Sequence, residues 1–361
     1  MRIQFFQKTI LTLFLGLCLL LAGYSESVAP IYQGPDIQII GKDFYKDLQA
    51  EFNRYSYQID ALEDAASPLS LQNIAPSYQD SDIQIIGKDY YKDLESEFNR
   101  YSYQIDTLEN GVPPLILQNL PGDLNKIQSS KHRKSIFFKA LLPMILLAND
   151  EIRVERKKLL IINQQIATKK SLNKQQRHIL VTLSKRYKIN LNSNRTQPEK
   201  TINKLLSRVD IIPEDLVLAQ AANESAWGTS RFSRVANNLF GQWTFTPGQG
   251  IIPKNRPEGA TYEVRKFSTV YDSVRSYLLN LNTHSAYKQL RNLRTASRVN
   301  GQSPKGLKLA EGLLRYSTRG EKYVKELQAM IRTNQLSRFN TVKLRSRSKS
   351  ILKQNYFAAT N

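Results

Sequence analysis

The sequence predicts a mainly α-helical protein with one small β-hairpin, and three observations carry that expectation. Apolar residues recur at helical spacing in several segments: Phe138, Leu142 and Ile145, then Val270, Val274, Tyr277, Leu278 and Leu281, then Tyr323, Leu327, Met330 and Ile331. Beyond residue 125, strand-like patterning is found at residues 260–268, behind a Gly- and Pro-rich run at 247–257. Finally, 361 residues at 41% hydrophobic and 23% charged suffice for one sizeable core plus an accessory region.

The chain opens with a secretory signal, residues 1–27. Arg2 and Lys8 lead an apolar run from Ile10 to Ala22 that is short for a membrane span, and Ser25 and Ser27 offer small residues for cleavage. An uncleaved N-terminal tether is the alternative. Cys18 follows Leu17 rather than the small residue that lipoprotein processing requires, so it belongs to the signal's apolar core. Removal of the signal leaves no cysteine, which excludes disulfides, thiol chemistry and thiolate-bound metals. His132, His178 and His284 are scattered without ligand spacing, and neither a metal nor an organic cofactor is expected.

Residues 28–125 hold a duplication. DIQIIGKDFYKDLQAEFNRYSYQIDALE at 36–63 recurs at 82–109, a shift of 46, with differences at Phe44/Tyr90, Gln49/Glu95, Ala50/Ser96 and Ala61/Thr107. Similarity continues through Pro68-Leu69 and Pro114-Leu115. Each unit reads as a short extended piece and a helix, with Phe44, Leu48, Phe52 and Tyr55 in one copy matching Tyr90, Leu94, Phe98 and Tyr101 in the other. Two copies are too few for a solenoid, and an amphipathic surface or spacer is expected.

Charge changes sign near residue 125. Residues 30–125 carry a net −10, whereas the residues after them carry +30 in a chain whose total is +21. A basic second part suits a polyanion, and the acidic repeats could fold over it as an electrostatic cover. A helical segment follows from Lys131, with Phe138, Leu142, Ile145 and Asn149 along one face and Pro143 expected to kink or divide it. Residues 172–187 read as another helix and 191–199 as a polar linker.

The stretch IIPEDLVLAQAANESAWGTSRFSRVANNLFGQWTF, residues 211–245, concentrates the chemistry. Pro213 suits a first helical position, and Glu214 and Asp215 complement the positive end of the helix dipole. Leu216 to Ala222 make that helix apolar on most sides, yet Glu224 interrupts the surface just before Trp227-Gly228 end it. Apolar surroundings and the negative end of the dipole both raise a carboxyl pKa. A carboxyl protonated near neutrality is what a glycosidase uses to donate a proton to the leaving oxygen.

Glycosidases usually pair such an acid with a second carboxylate, for which Glu258, in a predicted turn, and Glu263 are the candidates. One-carboxylate catalysis, with a group of the substrate as internal nucleophile, is also open. Residues 271–281 form an amphipathic helix, and His284 is expected to be a hydrogen-bonded structural residue. Ser303 as N-cap and Pro304 at the first position start a further helix, and residues 316–336 close with another. Residues 337–361 read as a basic flexible tail.

Ala219-Gln220-Ala221 before Glu224-Ser225, then Trp227-Gly228-Thr229-Ser230, then Asn238-Leu239-Phe240-Gly241 resemble the core of the glucosaminidase (mannosyl-glycoprotein endo-β-N-acetylglucosaminidase-like) family of peptidoglycan hydrolases. The match is to its bacterial Bax-type branch. KSIFFKALLPMILLANDEIRVERKKLL, Thr261-Tyr262-Glu263-Val264, NLNTHSAY and YSTRGEKYVKELQAMIRTNQL extend the similarity over residues 131–336. The resemblance implies a lysozyme-like helical catalytic domain at 126–336 with a small β-hairpin lobe, preceded by the duplicated helical extension. It assigns the acid to Glu224 and favours Glu263 over Glu258. Trp227, Phe240, Trp243 and Tyr262 are candidates to pack on sugar rings, with Phe240 equally suited to the core, and Asn238 is a candidate donor to acetamido groups. Asn223 departs from the pattern, standing where a small apolar residue or Leu is more usual.

The expected protein is an exported endo-β-N-acetylglucosaminidase of the periplasm or cell envelope that cleaves the β-1,4 glycan strand of peptidoglycan. Anionic wall polymers or a lipid surface would be further partners. A lytic transglycosylase of the same fold and a non-catalytic wall-binding or assembly protein are the alternatives. A nucleic-acid partner is not expected, given the signal and the lack of a recognition motif.

Overall fold

The computed structural model describes residues 83–190, 198–253, 256 and 258–345, all within one folded unit. The signal, the first repeat copy and residues 346–361 lie outside the described residues. The elements begin with β1 (Gln84–Ile86), α1 (Tyr91–Arg100), β2 (Leu115–Leu117), α2 (Ser130–Ala167), α3 (Lys174–Arg186) and α4 (Pro198–Arg208). Next come α5 (Glu214–Ser225), α6 (Arg231–Ala236) and the strands β3 (Trp243–Thr244), β4 (Gly250–Ile251) and β5 (Glu263–Arg265). Then α7 (Val270–Thr283), α8 (Lys288–Val299), α9 (Gly306–Leu309), α10 (Glu321–Thr333) and a 3-10 segment, Leu336–Thr341, complete the set. The protein is mainly helical, with the lysozyme-like layout of a helical body beside a small β lobe.

Most of helix α5 and one stretch of α2 are buried on every side, and such segments belong at the centre of a fold. Helix α2 buries each residue from Ile136 to Asn149, and α5 buries each residue from Glu214 to Ala222. Around α2 lie α3, α4, α5, α7 and β2, while α5 also meets α9, α10 and the 3-10 segment. Pro143 does not divide its helix: α2 runs unbroken for 38 residues. The lost backbone hydrogen bond is outweighed by packing around the whole of that stretch.

The second repeat copy is part of this body. β1 and β2 pair in parallel, with α1 between them in the chain. Leu94, Phe98, Tyr103, Ile105, Leu115 and Leu117 are buried. Lys139 of α2 lies 5.2 Å over the Phe98 ring, and the Leu117 N–H faces the Met144 sulfur at 3.5 Å. The change of charge near residue 125 is therefore no boundary in the fold.

Two further expectations are corrected. The predicted tail is folded through Arg345: Phe339 is buried, Leu344 bridges to Val112, and Arg345 donates to the carbonyls of Tyr101, Ser102 and Gly111. Backbone acceptors distant in sequence hold a segment whose composition alone suggests disorder. Helix α9 starts at Gly306 rather than Pro304, where the backbone passes so close to Asp215 that a Cβ would fall 2.0 Å from its Oδ1.

The loop leading into α5 is clamped by arginines. Asp210, 2% exposed, accepts from Arg298 Nε at 3.0 Å and Nη2 at 2.9 Å. Arg294, 1% exposed, donates to the carbonyls of Ser207, Asp210 and Ile211, and Arg156 to those of Leu206 and Val209. Asn149 of α2 donates to the Ile212 carbonyl and to Glu214, both at 2.9 Å, and accepts the Ile212 N–H. Burial alone would raise the Asp210 pKa, but the Arg298 hydrogen bonds and the Arg294 and Arg156 charges outweigh it and hold the carboxyl below its ordinary value.

A depressed folded pKa stabilises the fold fully above the unfolded value of about 3.9 and is lost as pH falls through the folded value. Asp210→Asn should lower Tm at neutral pH, by about 3 kcal/mol of stability for a buried charge cluster deprived of one member. Thermal melts should show the gap to wild type narrowing as pH falls below about 4.

Candidate active site

Helix α5 ends in consecutive left-handed residues: Ala226 (φ 48°), Trp227 (φ 61°) and Gly228 (φ 78°). Two of these carry a side chain and are strained there, so surrounding contacts must hold them. Ser225, fully buried, donates to the Ala221 carbonyl at 2.6 Å and accepts the Gly228 N–H at 2.8 Å. The Trp227 N–H returns to the Ala222 carbonyl, and its ring meets Phe137 and Phe138 edge-on at 5.8 and 5.6 Å. The Lys134 ammonium lies 4.8 Å over that ring. Gly228 abuts the second repeat's extension, where a Cβ would fall 3.0 Å from Leu120 and from Leu124. The Glu-Ser-Ala-Trp-Gly sequence thus carries the helix into a braced turn that stops it one residue past Glu224.

Burial separates the roles of the acids on α5. Glu214, 1% exposed, is sealed by Asn149 at 2.9 Å and Arg153 at 3.0 Å. Asp215, fully buried, accepts from Ser337 at 2.9 Å and from the Leu216 N–H at 2.8 Å. Both lie at the positive end of the dipole and organise the fold. Glu224 is partly exposed at the opposite end, and its Oε1 accepts from the Tyr323 hydroxyl at 2.8 Å. Burial pushes its pKa up, against hydrogen bonds from Tyr323 and Asn223 and the charge of Arg319, which lower it but do not cancel the rise.

Tyrosines from three other segments surround this carboxyl. Tyr323 stacks on Tyr316 with centroids 5.5 Å apart and planes within 2°, and Tyr316 lies 5.7 Å from Tyr287. Tyr277 stacks on Phe240 at 3.9 Å. Gln220, one turn before Glu224 on α5, is fully buried between them; it donates to the Tyr323 oxygen at 2.9 Å and accepts from the Tyr277 hydroxyl. Tyr316 donates to the Phe240 carbonyl at 3.0 Å, which ties this wall to the chain entering the β lobe.

In that lobe β5 lies between β3 and β4, antiparallel to both, so the expected hairpin is a three-stranded sheet. Glu263, 6% exposed, accepts the Gly248 N–H at 3.0 Å on Oε1 and the Gly250 N–H at 2.8 Å on Oε2. With both oxygens engaged by backbone, it braces the turn between β3 and β4. Glu258 is exposed in a turn. Asn238, 2% exposed, uses its amide donors on the carbonyls of Gln242 and Arg265 and its oxygen on the Gln242 N–H. No donor is left for an acetamido group, because a side-chain amide has two.

Phe240, 2% exposed, is core, and Trp227 anchors the turn. Trp243 is 51% exposed and meets the partly exposed Tyr262 edge-on at 4.9 Å, with Phe245, 74% exposed, on the same lobe. His284 is an exposed N-cap whose Nδ1 accepts the Ala286 N–H. Tyr323 and Tyr277 were readable from the sequence only as inward positions of amphipathic helices. The one local signal of their role is Gln220, an amide inside an otherwise apolar helix.

Among the described residues, no cluster of three His, Cys, Asp or Glu could hold a metal ion, and no helix is long and apolar enough to cross a membrane. A family model described as glucosaminidase, mannosyl-glycoprotein endo-β-N-acetylglucosaminidase, matches residues 199–336. The chain is 38% identical over 217 residues to Protein bax of Escherichia coli (strain K12), covering 59% of this chain and 74% of that protein. No solved structure matches.

Tyr323→Phe keeps the ring stack and removes a donor to the charged form of Glu224. Carboxyl titration by NMR should show the Glu224 pKa moving further up, and a downward move would contradict the balance of forces described.

Proposed function

The chain belongs to the glucosaminidase family, in its Bax-type branch, and from that premise we propose that it is an exported endo-β-N-acetylglucosaminidase of peptidoglycan, with Glu224 as general acid. The observation that carries this reading is a carboxyl at the open end of a buried helix, raised in pKa by burial and still reachable from solvent. Glu224 gives its proton to the glycosidic oxygen as the bond to C1 of N-acetylglucosamine breaks. Trp243 and Tyr262 support sugar rings with their exposed faces. Residues 1–27 direct export, and the basic charge after residue 125 draws the enzyme to the anionic polymers or lipid surface of the envelope.

Because backbone amides hold both oxygens of Glu263, the substrate's own acetamido oxygen suits the nucleophile's role. It closes on C1 as the leaving group departs, and water then opens that ring, returning a proton to the Glu224 carboxylate. The same engagement of Glu263 favours a second reading, a lytic transglycosylase. There a hydroxyl of the sugar itself attacks C1, and an anhydro product is released.

Zymography on purified cell wall is the test. Wild type should clear the substrate and Glu224→Gln should lose about 10²-fold or more of the rate. Equal clearing by both would remove the acid assignment, and no clearing by either would favour a wall-binding role. Mass spectrometry of the fragments separates hydrolysis from anhydro formation and identifies the terminal sugar.

A further inference from the structure

We infer that Gln220 and Tyr277, both fully buried, are positioning residues that decide which oxygen of Glu224 carries its transferable proton. The inference rests on Glu224 being the acid.

Three hydrogen bonds run in series. The Tyr277 hydroxyl donates to Gln220 Oε1, Gln220 Nε2 donates to the Tyr323 oxygen at 2.9 Å, and the Tyr323 hydroxyl donates to Glu224 Oε1 at 2.8 Å. Turning the Gln220 amide over would reverse every step. Nε2 would then face Tyr277, Tyr323 would donate to Gln220, and Glu224 would have to donate its proton to Tyr323. In that arrangement the catalytic proton points into the protein rather than toward a substrate.

Tyr277 selects between the two directions. It is fully buried, stacked on Phe240, and Gln220 Oε1 is the acceptor that its hydroxyl meets. Reversal would leave that O–H buried without an acceptor, a costly state that folded proteins largely avoid. The forward direction is therefore locked, Oε1 of Glu224 is always an acceptor, and the proton resides on Oε2. The carboxyl is also under the influence of Asn223 on its own helix, Arg319 and Tyr323 from α10 and its approach, and Tyr287 and Tyr316 from the chain between α7 and α10. Of these only Tyr323 is hydrogen-bonded to the Gln220 amide, and a hydroxyl that can both donate and accept fits either direction.

The test measures kcat and KM on purified peptidoglycan against pH for the full chain, for Tyr277→Phe and for Gln220→Met. Tyr277→Phe keeps the ring but frees the amide to turn. Its kcat should fall about tenfold with KM unchanged, the pattern of a loss confined to the transition state. The basic limb of the kcat profile should move to higher pH, because the reversed chain accepts a hydrogen bond from the protonated carboxyl and stabilises that form. Gln220→Met, which cuts the chain without emptying the site, should move both in the same direction and carries the test if Tyr277→Phe does not fold. Wild-type kcat and pH limbs in both folded variants, beside an inactive Glu224→Gln, would overturn the relay alone. Full activity of Glu224→Gln would overturn the acid and the relay together.

Discussion

The rest of this structure depends on the enclosure of α5 from Glu214 to Ala222. A helix with packing on every side cannot pivot, so its two ends are defined by what grips them. At the first end, the Arg clamp on Asp210 and the Asn149 amide set where the chain enters the core. At the other, Ser225 braces strained backbone that ends the helix one residue past Glu224. A carboxyl on a flexible loop would be freely hydrated and would titrate at an ordinary value. Held at the rim of an apolar body, it is partly desolvated without being sealed.

Contrast within the protein clarifies why that intermediate position matters. Glu214 is buried and pinned by a cation and an amide, so it reaches neither solvent nor a substrate. Glu258 is exposed in a turn. Glu263 is buried but answered on both oxygens by backbone N–H groups. Glu224 combines partial exposure with a tyrosine that donates to one of its oxygens and burial that opposes its charge.

The second repeat copy supports this arrangement from below. Leu120 and Leu124, just past the duplicated segment, lie against Gly228, and Phe137 closes on the same glycine from α2. Asn237 donates to the Gln118 carbonyl and Arg234 to that of Gly122, so the chain leaving the active-site turn is tied to the same extension. The joint is chiefly one of apolar packing, with Glu95–His132 and Asp106–Arg338 among the polar contacts across it. A segment set apart by its acidic composition is thus part of the foundation of a basic domain.

Periodicity and motif spacing already place the core helices and the candidate acid. Apolar spacing marks α2, α5, α7 and α10, and Glu224 stands out as a charge in a surface that has no other use for one. Local pattern could not determine what long-range packing decides. Pro143 continues its helix because neighbours surround it, and Asn238 turns out to be structural because its partners, Gln242 and Arg265, converge only in the folded lobe. Tyr277 and Tyr323 look like ordinary core positions until tertiary structure brings their hydroxyls, from chain 57 and 103 residues away, onto Gln220. Periodicity records which face of a helix turns inward. Which polar atoms meet there depends on how separate helices cross, and that is settled only when the whole chain packs.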